Sequence, residues 1–101
     1  TLFRSIRVLI SAEEESVVIQ KTGDLFQKVL TLKDKYINDF IFCKAIACPV
    51  KRIKTKYRYE ILLRVKNDNF ETIIQQIYAF SDEVRTKNVL IFVESNPQNL
   101  G

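Results

Sequence analysis

Apolar positions recur along this chain at two spacings, every second residue and every third or fourth, in alternating blocks. Between Leu2 and Ile10, Ile6, Val8 and Ile10 share one side while Ser5 and Arg7 take the other, the period of a half-buried strand. Val18, Leu25, Phe26 and Val29 then fall on one helical stripe, which predicts a helix running to about Lys33. Ser11 followed by Glu14 has the spacing of a capping box, and Glu13 to Glu15 suit the positive end of the helix dipole. Gly23 sits inside that stripe at a cost of about 1 kcal/mol relative to Ala. It marks either a close-packing point against the sheet or a helix break. Phe40 to Ile46 reads as a second strand.

Tyr57 to Val65 is the clearest strand of all. Tyr57, Tyr59, Ile61, Leu63 and Val65 occupy one face, and Arg58, Glu60, Leu62 and Arg64 the other. Phe70, Ile73, Ile74, Ile77 and Val84 line a second predicted helix ending near Arg85, with Asp68 and Glu71 at capping-box spacing. Asn88 to Glu94 predicts the last strand, and a polar tail with Pro97 follows. The order β-α-β-β-α-β specifies an α+β split βαβ, ferredoxin-like arrangement: a four-stranded antiparallel sheet with two helices on one face. Right-handed crossovers place both helices on the same side. The other face is open and is expected to present Arg7, Arg58, Glu60, Leu62, Arg64, Leu90 and Phe92. Leu62 and Phe92, set among Arg7 and Arg64, suggest a docking surface for another domain; scattered surface apolar residues are the ordinary alternative.

A chain of 101 residues holds one domain and one core. An apolar content of 47%, with two Gly and two Pro, argues for regular elements rather than disorder. No apolar run approaches the roughly 18 residues that span a bilayer, so no membrane partner is expected. The chain opens on Thr1 without an initiating Met or a secretory pattern, which suggests a domain excised from a longer cytoplasmic protein. Cys43 and Cys48 have no His and no further Cys to complete a zinc site, and read as free thiols of a reducing compartment.

Charge changes the picture more than composition does. Five of the eight residues from Lys51 to Arg58 are cationic. From Lys44 to Lys66 eight Lys/Arg face one acid, Glu60, a net of +7; the whole chain carries only +4, leaving −3 for all other residues. A local cationic cluster running into a strand is an electrostatic footprint for a polyanion, most often nucleic acid. The expected contacts are Lys51, Arg52, Lys54, Lys56 and Arg58, in a loop or hairpin tip.

Several chemistries are excluded. Without His there is no His-based triad or His metal site. With Gly23 and Gly101 as the only glycines there is no phosphate-binding glycine loop. No catalytic residues are expected, and Glu13-Glu14-Glu15 reads as a helix start. The element order also raises the RNA-recognition motif, but Lys56-Tyr57-Arg58-Tyr59-Glu60-Ile61-Leu62-Leu63 lacks the small residues that the motif's third strand requires. Tyr57 and Tyr59 share parity with Ile61, Leu63 and Val65 and should face the helices.

The second half, read as one string, carries a family resemblance. Pro49-Val50-Lys51-Arg52-Ile53-Lys54-Thr55-Lys56-Tyr57-Arg58-Tyr59-Glu60-Ile61-Leu62-Leu63, an amphipathic helix, then Val89-Leu90-Ile91-Phe92-Val93-Glu94-Ser95-Asn96-Pro97 resembles the C-terminal domain of the primosomal protein N′ family, the PriA replication-restart DNA helicases. Lys56-Tyr57-Arg58-Tyr59 matches the family's strand entry and Pro97 its terminal proline. The chain departs from the family at Lys44-Ala45-Ile46-Ala47-Cys48, which lacks two prolines and a glycine, at Thr55, which replaces a glycine, and at Glu94 and Asn96, which replace two Asp. The family's pocket for the acidic tail of the single-stranded-DNA-binding protein uses cationic and amide groups where this chain has Asn67-Asp68-Asn69-Phe70-Glu71, so that site is not carried over.

The resemblance implies a non-catalytic accessory domain, similar in fold to a small-subunit ribosomal protein, within an ATP-dependent 3′→5′ helicase that reloads the replication machinery. It implies single-stranded or forked DNA as ligand, with the single-stranded-DNA-binding protein and primosome proteins as further partners. ATP and zinc would belong upstream, with no cofactor in this fragment. The alternative from the residues alone is a protein-interaction or RNA-binding ferredoxin-like module with no role on DNA.

Overall fold

Residues 2–53 and 56–96 are described by the computed structural model, residues 49–53 by their backbone only. Strand β1 spans Phe3–Ala12, helix α1 Glu15–Lys35, β2 Phe40–Ile53, β3 Lys56–Lys66, helix α2 Phe70–Val84 and β4 Leu90–Ser95, with a short 3-10 turn at Asn67–Asn69 ahead of α2. The strands form one sheet in the order β2-β3-β1-β4. All neighbours are antiparallel: β1 pairs with β3 and β4, and β2 with β3. This is the expected α+β arrangement.

Strand parity sets what each face holds. Ile6, Val8 and Ile10 lie opposite Leu63, Ile61 and Tyr59, and all but the tyrosine are fully buried. α1 closes that face with Val18, Leu25, Val29 and Leu32, and α2 with Phe70, Ile73, Ile74 and Ile77. Tyr57 and Tyr59 pack half-buried against the same core, so they face the helices as expected. The two helices also pack on each other.

The helix starts differ from expectation. Ser11 belongs to β1, opposite Arg58 on one side and Leu90 on the other. Two ladders claim its backbone, and one capping bond does not compete with them. Glu14 becomes the N-cap, extended and without a side-chain cap, its carbonyl accepting from the Val17 and Val18 amides at 3.1 and 3.3 Å. At α2 the cap position falls on Asn69, not Asp68. The Asn69 amide donates instead to Asp39 Oδ2 at 3.1 Å, tying α2 to the turn after α1. Gly23 makes no close approach: it is exposed, and a Cβ built there meets nothing within 4 Å.

The largest difference is in β2. It continues past Ile46 to Ile53, so most of the basic segment is strand rather than loop. Ala47 faces Tyr59 while Arg52 faces Tyr57, which leaves Cys48, Pro49, Val50 and Lys51 opposite Arg58 alone. An excess of residues on an edge strand bends it. Pro49, which has no N–H to give a ladder, falls within that irregularity, where an edge strand tolerates it. The strong β character of Tyr57–Tyr59 on the neighbouring strand supplies the partners that extend β2 beyond its own apolar pattern.

Candidate nucleic-acid interface

The β2–β3 hairpin carries the cations of the basic segment. Arg52 stands opposite Tyr57 and Ile53 opposite Lys56 along the backbone. Lys54, Thr55 and Pro97, and the side chains of Lys51 and Arg52, lie outside the described residues. Arg58 lies opposite Ser11 on the open face, half-buried. Lys56 has a different setting. It lines a cleft of about 310 Å³ at the end of the sheet together with Glu13, Glu14, Lys87 and Asn88. Two carboxylates and two ammonium groups balance there, so that cleft is not an anion site.

The open face follows the pleat in rows. Lys44, Leu62, Arg7 and Glu94 form one; Ile46, Glu60, Leu9 and Phe92 the next. Arg7 is not a free docking cation. Its Nη2 donates to Glu94 Oε1 at 2.6 Å and its Nε to the same oxygen at 3.0 Å, bridging β1 to β4. Leu62 is not exposed either. Although it points away from the helices, its exposure is 0%. Its neighbours on both adjacent strands, Arg7 and Lys44, carry long aliphatic stems, of the kind that cover apolar surface. Glu60 is likewise buried, at 3% exposure, with no partner for Oε1 among the described residues. Phe92 and Leu90 do stand out, at 62% and 56% exposure. Arg64 is half-buried, its guanidinium 5.7 Å from the centre of the Phe3 ring.

Lys44 was not singled out by sequence, and it is an exposed member of this face, its ammonium 5.6 Å from the centre of the Phe42 ring. The signal was available. Phe42, Lys44 and Ile46 alternate with Cys43 and Ala45, and pairing with β3 puts them beside Arg64, Leu62 and Glu60. The two cysteines fall on opposite faces of β2 by the same alternation and are free thiols. Burial raises Cys43 to about 11 against the opposing pull of Lys33. Burial, then Glu60, raises Cys48, while Arg58 and Arg7 pull it down. Both are thereby held as thiols rather than nucleophilic thiolates.

No helix among the described residues is long and apolar enough to cross a membrane. No family model and no curated protein matches the chain. Solved structures do. The designed protein Foldit4 is similar with a TM-score of 0.64 at 12% identity, over 96% of this chain and 99% of that one. The designed ferredoxin-fold protein LFR1 1 is similar with a TM-score of 0.60 at 18% identity, over all of this chain and 89% of that one. A hydantoinase/carbamoylase family amidase from Burkholderia ambifaria gives 0.64 at 9% identity, over 93% of this chain but only 27% of the amidase. At such identities these likenesses speak for fold alone, and the fold is ferredoxin-like α+β.

Proposed function

We propose that this chain is a DNA-binding accessory domain, non-catalytic by itself, of an ATP-dependent 3′→5′ replication-restart helicase, with the β2–β3 hairpin as its phosphate contact. The observation that carries the reading is the segregation of charge. Residues 44–66 hold +7, and their one acid, Glu60, is buried, so the segment itself sets no exposed carboxylate among its cations. Phosphate contacts of this kind position a nucleic acid without reading its sequence. The helicase setting rests on the resemblance of Lys56-Tyr57-Arg58-Tyr59 and the strand that follows.

The test is a titration of labelled single-stranded and forked DNA at several salt concentrations. Log K is expected to fall with log salt by about 0.7 per phosphate contact on single strands. Reversing Lys51, Arg52 and Lys54 to Glu should abolish binding and leave the circular dichroism spectrum unchanged. Absence of binding at low salt, or binding indifferent to salt, contradicts the reading. The exposure of Leu90 and Phe92 favours a second reading, in which the open face packs on another domain of the same parent protein and the hairpin is merely solvated.

A further inference from the structure

We propose that the open sheet face is a platform for single-stranded DNA, on which Phe92 stacks a base; this rests on the reading of the hairpin as a DNA contact and adds a second, chemically different one. Charge complementarity identifies the occupant. On this face Arg7 and Glu94 neutralise one another at 2.6 Å, and Glu60 is buried. What remains is cationic: Lys44 on β2, and Arg58 and Arg64 on β3 with Lys66 at the end of that strand, exposed or half-buried. Protein–protein interface cores are depleted in such charge. A protruding aromatic ring on a face that also carries cations is instead the pairing that holds single strands, ring to base and cation to phosphate.

The geometry suits that division of labour. Phe92 lies on the edge strand opposite Leu9, and Leu90, its neighbour on the same face, lies opposite Ser11. Arg58 faces that same Ser11 from the other side. Two strand spacings, on the order of 10 Å, therefore separate the ring's strand from the arginine's. A strand leaving the hairpin can thus pass Arg58 and set a base on Phe92, with Leu90 as apolar floor. The carboxylate two residues along the same face of the strand, that of Glu94, is already held by Arg7. Tyr57 and Tyr59 take no part, since they face the helices. Duplex DNA gains nothing from the ring, because its bases are already stacked and show no free π-face.

The experiment measures the affinity of the chain for a labelled oligothymidylate and for a blunt duplex of equal length at low salt. Phe92→Ala and Phe92→Leu should weaken single-strand binding about fivefold or more and leave duplex binding unchanged, while Phe92→Tyr keeps both. The ring is exposed, so these variants should fold, and Phe92→Leu also preserves apolar character. Equal binding by wild type and Phe92→Ala overturns this inference, returns Phe92 to domain docking, and leaves the hairpin contact standing. A loss shared by single strand and duplex also overturns it. Failure of the wild type to bind either DNA removes the hairpin contact and this one together.

Discussion

The two faces of the central sheet reach burial by different means. Under the helices, Ile61, Leu63 and Val65 are buried by other apolar side chains. On the opposite face Leu62 is just as inaccessible, yet its strand neighbours are Glu60 and Arg64 and its cross-strand neighbours Arg7 and Lys44. One face is a close-packed core, where a missing methylene leaves a hole. The other is a skin of long amphipathic side chains that can shift. A contact surface for a charged ligand belongs on the adaptable side, anchored from beneath by the rigid one. Tyr57 and Tyr59 provide that anchoring for the cationic hairpin.

The contrast is sharpest in a pair of truncations. Leu63→Ala should cost about 2–5 kcal/mol in urea unfolding, because its surroundings cannot collapse. Leu62→Ala should cost about half as much, since flexible stems can close over the gap. Equal losses would show that the open face is as rigid as the core. Helix α1 repeats the contrast at two consecutive residues. Thr22 turns inward, buried with no partner for its Oγ1 among the described residues, so Thr22→Val should stabilise by about 1 kcal/mol, read from the urea midpoint. Gly23 turns outward into open space, so Gly23→Ala should stabilise by about 0.5–1 kcal/mol through helix propensity alone.

Smaller effects probe the skin itself. A double-mutant cycle on Arg7 and Glu94 should return a coupling of about 0.2–1 kcal/mol that shrinks with salt. A thiol reports on the covered face. Cys43 is raised from 9.0 to about 11 by burial. Between those values the unfolded chain has lost the thiol proton and the native chain retains it, so the native state binds more protons and stability falls as pH rises. Subtracting the Cys43→Ala stability profile from that of the wild type should isolate this alkaline decline, and a flat difference would deny the burial.

Most of the element order was legible because periodicity is a local property. The stripe Phe70, Ile73, Ile74, Ile77 and Val84 is buried as read, and the inward parity of Tyr57 and Tyr59 holds. The helix starts were misread at Ser11 and Asp68, because a capping box is a short pattern that loses to strand pairing or to a tertiary bond such as that of Asn69 to Asp39. The extent of β2 was misread for the same reason. Lys51 to Ile53 have no strand pattern of their own and are extended by their partner.

Alternation and charge by themselves determined the ferredoxin-like order, the composition of each sheet face and the concentration of cations between Lys44 and Lys66. All of these depend on residues near one another in the chain. Only the tertiary structure decided which outward-facing residues meet solvent. Leu62, Glu60 and Phe92 share one face and looked equivalent, yet the first two lie on the inner strand β3, covered from both sides, and the third on an edge strand, covered from one. Pairing assigns strands to the middle or the edge of the sheet, and that assignment joins residues far apart in sequence, so no local pattern records it.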